Sequence, residues 1–258
     1  MGNMSSTDVR TFFKSNGGFH QLYADICEVH ELARKNETHV PSFTKAELKL
    51  IREVWQEEFE DIDGDIGYDI FSELLSRSQK IQKIFSFNPS TDDFSRNGRL
   101  ISHALVVKNA LNEFVRVLTE GVEEERELLP VKIRALGARH FNEKRDGFAP
   151  SLWLLFARSM IDLAEFWSCH FIYRRTFRAA WRRFIIFLIA NMQIGFEDME
   201  EGTEVSSVPD PFPTEHSASN EPSFVIKDDT EQDQSTSHII EDTDCQLNSK
   251  VDITDKET

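Results

Sequence analysis

Apolar residues recur at intervals of three and four along most of the chain, the period of helices that rest one face on a core. The first stripe runs through Phe12, Phe13, Phe19, Leu22, Tyr23, Ile26, Val29 and Leu32; Gly17-Gly18 predicts a break within it, and Pro41 marks its end. Thr44-Lys45-Ala46-Glu47 reads as a capping box, in which the Thr hydroxyl accepts from the Glu47 amide and the Glu47 carboxylate reaches back. Leu48, Ile51, Val54 and Trp55 continue that helix, and Gly67, Ile70, Phe71, Leu74 and Leu75 mark the next. After an Asn-Pro-Ser-Thr-Asp-Asp loop at 88–93, Leu100, His103, Val107, Leu111, Phe114 and Leu118 line one side of a long helix. A charged connector over 120–130 leads to a short helix at 131–141, then to two long apolar-rich helices near 150–167 and 174–195. No alternating run bounded by turn residues and no internal repeat is present, so the predicted class is all-α.

Composition sharpens the domain picture. Of 258 residues, 40% are hydrophobic and 21 are Phe, enough for a substantial core. The net charge of −16 is concentrated: residues 200–258 hold 16 acidic and 3 basic side chains, leaving 29 acids against 26 bases elsewhere. That acidic end is also poor in hydrophobic residues, the composition of a disordered segment. The expected organisation is an N-terminal extension over 1–42, a helical domain over 43–197 and a disordered acidic tail over 198–258. A nearly balanced body lacks the basic face that nucleic-acid binding requires. Arg174, Arg175, Arg178, Arg182 and Arg183 interleave with Phe177, Trp181 and Phe184, which reads as the solvated side of an amphipathic helix. Cys27, Cys169 and Cys245 are too far apart for a metal knuckle or a disulfide framework. No apolar run is long enough to span a bilayer, and MGNMSSTDVR lacks a secretory signal's apolar core. The expected location is the cytoplasm.

Two histidines carry the candidate chemistry. A lone His on an apolar helix face is ordinarily a core residue with one hydrogen bond. His103, however, shares its face with Val107 and Leu111, and His140 follows Leu136 by one turn on another helix. Two imidazoles on opposed apolar helices with phenylalanines between them suit a flat, apolar metal macrocycle, because haem iron takes axial His and its porphyrin buries against Phe, Leu and Val.

Five segments in order carry a family resemblance. Ile51 to Trp55, Ile66 to Leu75 with Lys83-Ile84-Phe85, Ser102 to Leu111, Leu136 to His140, and Ala180 to Phe184 resemble the successive helices of a globin, with a neuroglobin-like or invertebrate, nematode-type flavour. The resemblance implies the 3-on-3 helical sandwich and a haem b cofactor. It implies that His140 is the proximal iron ligand, its other ring N–H donating to the Leu136 carbonyl. It further implies that Phe85 stacks on the haem, that His103 is the distal histidine and Val107 crowds the ligand position, and that Phe71, Phe148 and Trp153 are pocket walls. The 37-residue interval between His103 and His140 is wide for the family, because the connector before the proximal helix is long.

The expected function is reversible binding of O2, CO or NO for intracellular oxygen sensing, storage or transport. A bis-histidyl redox globin, with His103 as sixth ligand and nitric-oxide dioxygenase or weak peroxidase chemistry, is the alternative; a membrane-tethered scaffold is a third. No flavin or nicotinamide module accompanies the domain, which favours a binding protein over a dedicated enzyme. Gly2-Asn3-Met4-Ser5-Ser6 fits the N-myristoylation pattern, so partial association with the cytoplasmic face of the plasma membrane is expected, with the amphipathic face from Phe12 to Leu32 as a second contact.

Overall fold

The computed structural model describes residues 17–36, 39–60, 66–168 and 171–202. Gly2, Cys169, Cys245 and the acidic segment from 203 onward lie outside the described residues. Among those described, nine α-helices and two short 3-10 turns account for nearly all the structure, and no strand is present.

Helix α1 (Gly17–Lys35) precedes α2 (Lys45–Glu60), α3 (Ile66–Arg77) and the short α4 (Gln79–Ile84). The long α5 (Gly98–Glu120) leads through α6 (Glu123–Glu127) to α7 (Leu129–Asn142), and α8 (Ser151–Trp167) and α9 (Arg174–Glu200) are the last of the described helices. The capping box opens α2 as expected: Thr44 N donates to Glu47 Oε2 at 2.8 Å and Glu47 N donates to Thr44 Oγ1 at 3.2 Å. Asn97 caps α5 by accepting from Leu100 N at 3.0 Å, which fixes where the His103 helix starts.

Helices α2, α5 and α7 form one layer and α3, α8 and α9 the other, with α9 packed on α2, α7 and α8. Trp55, Trp181 and Trp167 knit three of these helices together: Trp55 stacks on Trp181 at 5.7 Å, and Trp167 meets both edge-on at 6.3 and 5.9 Å. Trp55 Nε1 donates to Asn112 Oδ1 and Trp181 Nε1 to the Met160 carbonyl, so these two indoles are buried without stranding their donors. This is the all-α, 3-on-3 arrangement expected from the sequence.

Several details correct the sequence reading. The 120–130 connector is not irregular throughout; Glu123–Glu127 forms a short helix whose first turn carries Glu123, Glu124 and Glu125 at its electropositive end. Helix α9 runs to Glu200 rather than stopping near 195, because Asp198 pairs with Arg34 and Glu200 with Lys144. The arginines of α9 are not a uniformly solvated face, since Arg182 pairs with Asp25 and Arg183 with Glu47 on other helices. Helix α1 is no free appendage either. Leu22 and Ile26 are fully buried, and Asp25–Arg182, His30–Glu197 and Arg34–Asp198 tie the helix along α9. Leu22 and Ile26 of its apolar face are therefore taken up by the body of the protein, whereas Tyr23 and Leu32 stay exposed and Phe12 and Phe13 lie outside the described residues.

Candidate functional site

Helix α5 and helix α7 bring His103 and His140 together edge-on, with ring centroids 6.5 Å apart and ring planes at 74°. Phe71 from α3 and Phe85, the residue closing α4, flank His103 at 5.5 and 5.4 Å. They also meet each other at 5.5 Å. On the opposite side Phe148 and Trp153 flank His140 at 5.1 and 5.6 Å, and 5.1 Å separates those two rings. Phe71 and Trp153 are buried, whereas Phe85, Phe148 and Val107 are half-buried against the core. Val107 lies one turn beyond His103 on the same face of α5. The fold thus gathers from six elements and loops the residues singled out in the sequence.

The two imidazoles are held differently. His140 Nδ1 sits 2.9 Å from the Leu136 carbonyl oxygen, which can only accept, so Nδ1 carries the proton and Nε2 keeps its lone pair. His103 has aromatic rings as its neighbours and makes no side-chain hydrogen bond among the described residues. Burial, with smaller contributions from the nearby His140 and Arg99, pushes its pKa down to about 4. Burial also lowers the pKa of His140, partly opposed by the Leu136 carbonyl, which favours the protonated ring. Both rings are consequently neutral near pH 7, the form in which imidazole is a metal ligand.

This donor set fits haem. A neutral Nε2 with its partner nitrogen anchored is the arrangement of an oriented axial histidine. Metal–imidazole bonds of about 2 Å, with about 1 Å more from nitrogen to ring centre, put two imidazoles on one ion roughly 6 Å apart, close to the observed 6.5 Å. The walls are aromatic and aliphatic, as a porphyrin face requires. No cluster of three or more His, Cys, Asp or Glu side chains with metal-binding geometry occurs among the described residues.

Two contributors escaped the sequence reading. Phe196 of α9 touches Phe148, Trp153 and Phe141 at 6.2, 5.7 and 5.4 Å, forming the back wall behind His140. Arg134 bonds to both Asn191 Oδ1 and the Ala33 carbonyl, anchoring α7 from the side opposite the pocket. The available signal was Gly137 and Gly195, two glycines inside helical patterns that mark a close crossing of α7 and α9.

No helix of the described residues is long and apolar enough to cross a membrane. No curated protein and no solved structure matches the chain. Residues 68–192 match the family model described as Globin, a span that runs from α3 into α9 and includes both histidines. With that match and the 3-on-3 helical arrangement, residues 68–192 form a globin domain.

Proposed function

We propose that this globin holds haem b through His140 and binds O2, CO or NO reversibly on the side guarded by His103, for intracellular sensing or storage. A globin domain binds haem and diatomic gases in general; the finer assignment is carried by the His103–His140 pair. Haem held there by His140 would supply an iron able to bind a diatomic molecule. The Leu136 carbonyl orients His140 toward that iron, Phe85 and Phe71 exclude water on the distal side, and Phe148 and Trp153 do so on the proximal side. His103 is the one polar side chain of this set on its side of the pocket, and its N–H is available to donate to a bound ligand.

The 6.5 Å separation favours a second feature: in the absence of gas, His103 as well as His140 would hold the haem, a bis-histidyl arrangement suited to redox signalling. The visible spectrum of the ferrous, gas-free protein separates the cases. Sharp split bands are expected for bis-histidyl iron, and one broad band for an open site; no haem band after haem-supplemented expression overturns both. His103→Leu should speed CO binding if the imidazole must leave first, and speed O2 loss if it is only a donor. Unchanged rates would remove His103 from the pocket.

The Gly2 pattern is the basis for proposing reversible attachment to the cytoplasmic face of the plasma membrane, with the remainder of the protein cytoplasmic. Since Leu22 and Ile26 of α1 are buried in the body of the protein, the proposal rests on the acyl chain, and single-chain binding is marginal, with an association constant of about 10⁴ per molar. Fractionation of cells expressing the wild type beside Gly2→Ala should show a small membrane fraction lost in the variant. Equal fractions would refute it.

A further inference from the structure

Helix α7 works on two faces. Leu136 and His140 occupy one, and Arg134, Gly137 and Phe141 follow at intervals of three and four on another. That second stripe lies against α9 at unusually short range. A Cβ on Gly137 would stand 2.0 Å from the Met192 carbonyl oxygen, and one on Gly195 would stand 1.9 Å from the Arg134 carbonyl oxygen. The two backbones are therefore in direct contact at the crossing, and Phe141 extends the contact by meeting Phe196 at 5.4 Å.

The Arg134 side chain pins this crossing. Its Nε donates to Asn191 Oδ1 at 3.1 Å, and its Nη2 donates to the Ala33 carbonyl at 2.9 Å. Asn191 is fully buried and its own amide donates to the Phe187 carbonyl at 3.0 Å, so the acceptor facing Arg134 is fixed in place. Ala33 lies in the last turn of α1, where backbone carbonyls lack partners within the helix. One guanidinium thus joins three helices. It sits six residues before His140, about 9 Å along the helix axis, and a packed helix transmits a shift over that distance as a rigid unit. Helix α1 is itself held to α9 by Leu22, Ile26 and the ion pairs at Asp25, His30 and Arg34.

We propose that Arg134 is a positioning residue for His140, and that through it the N-terminal helix α1, which the family match does not include, sets how firmly the proximal helix holds haem. This rests on His140 being the iron ligand. Displacing α1 removes one acceptor from Arg134, loosens the α7–α9 crossing and lets His140 move with its Leu136 bond intact. Arg134 touches neither haem nor gas.

The test uses the full-length chain with Arg134→Met, Arg134→Lys, the α1-releasing pair Leu22→Asp and Ile26→Asp, and their combination with Arg134→Met. Haem transfer to excess apomyoglobin gives the rate of haem loss, and hydrogen exchange of α7 amides in the haem-free chain reads the junction without haem. Arg134→Met should speed haem loss about tenfold, since buried hydrogen bonds from a charged group are lost. Arg134→Lys should recover part of that, because an ammonium keeps the charge and can reach Asn191 Oδ1 or the Ala33 carbonyl but not both. Combining Arg134→Met with α1 release should be slower than the product of the separate effects, as expected for one shared linkage. Effects that multiply, or wild-type haem loss with wild-type α7 protection in Arg134→Met, overturn the proposal. If the chain takes up no haem, the assignment of His140 fails on its own, and the exchange measurement still decides whether Arg134 fixes α7.

Discussion

At the scale of residues, the two histidines are distinguished by what surrounds their second nitrogen. His140 gives its Nδ1 proton to Leu136, whereas His103 stands among aromatic rings, and its pKa of about 4 against an ordinary 6.5 records the cost of charging it there. The consequence for the haem-free protein has a definite sign. Between pH 6.5 and about 4 the unfolded chain takes up a proton at His103 that the folded chain refuses, so stability is full above that window and falls as pH drops through it. At roughly 1.4 kcal/mol per pH unit, His103 accounts for about 2 kcal/mol of loss between about pH 6.5 and about pH 5. His140 is shifted in the same direction and adds to the loss. Urea titrations of haem-free wild type and His103→Leu at about pH 6.5 and about pH 5 should show the variant losing less stability by about that amount; parallel losses would mean the imidazole is not buried as described. The residues of this site were legible because their types are unusual for their positions: two histidines on apolar faces, with Phe71, Phe85 and Phe148 at the right stages of the chain. Arg134 was not legible. An arginine within a helix reads as solvated unless its acceptors are known, and Ala33 and Asn191 are 101 and 57 residues away from it.

At the scale of elements, periodicity located α2, α5, α7, α8 and α9 because each buries one face, and the capping box at Thr44 fixed one start to the residue. Ends decided by distant ion pairs were misjudged, as with the last turn of α9 and its partners Arg34 and Lys144. The role of α1 was also hidden, since an amphipathic stripe has the same pattern whether it meets a bilayer or a protein surface. Its partner emerges only from the pairing of Asp25 with Arg182 and the burial of Leu22. The crossing of α7 and α9 makes a prediction at this scale. Gly195→Ala forces a methyl against the Arg134 carbonyl oxygen, which is backbone and cannot rotate aside, so the helices must separate. Overpacking of this kind costs about 1–3 kcal/mol, and Gly137→Ala should cost a similar amount for the matching reason. Gly98→Ala is the control, because its new methyl meets nothing within 4 Å, and it should change stability by less than about 0.5 kcal/mol. Denaturant midpoints of the three variants check this. A Gly195→Ala protein as stable as Gly98→Ala would show that the crossing is looser than the structure has it.

At the scale of the whole molecule, charge and core are carried by different parts of the chain. The helical body contains the buried residues described above, including the three-tryptophan cluster, Phe71 and Trp153. Residues 203–258 carry 14 acidic and 3 basic side chains, and their hydrophobic residues occur singly or in short islands such as Phe224-Val225-Ile226 and Ile239-Ile240. From composition alone, such a segment is expected to bury too little apolar surface to offset the ordering of a backbone, at about 1–2 kcal/mol per residue. Removing it should therefore leave the core, the His103–His140 pair and the α7–α9 crossing unaffected, while changing the net charge from −16 to −5. The expected result is earlier elution from an anion exchanger, with the haem spectrum unchanged and the melting temperature nearly so. For a body of this size about 1 kcal/mol corresponds to a shift of roughly 2–4 °C. A fall in melting temperature beyond about 4 °C, or a changed split between the visible bands, would mean that the acidic segment contributes to the fold or the pocket, and that composition alone misjudged it.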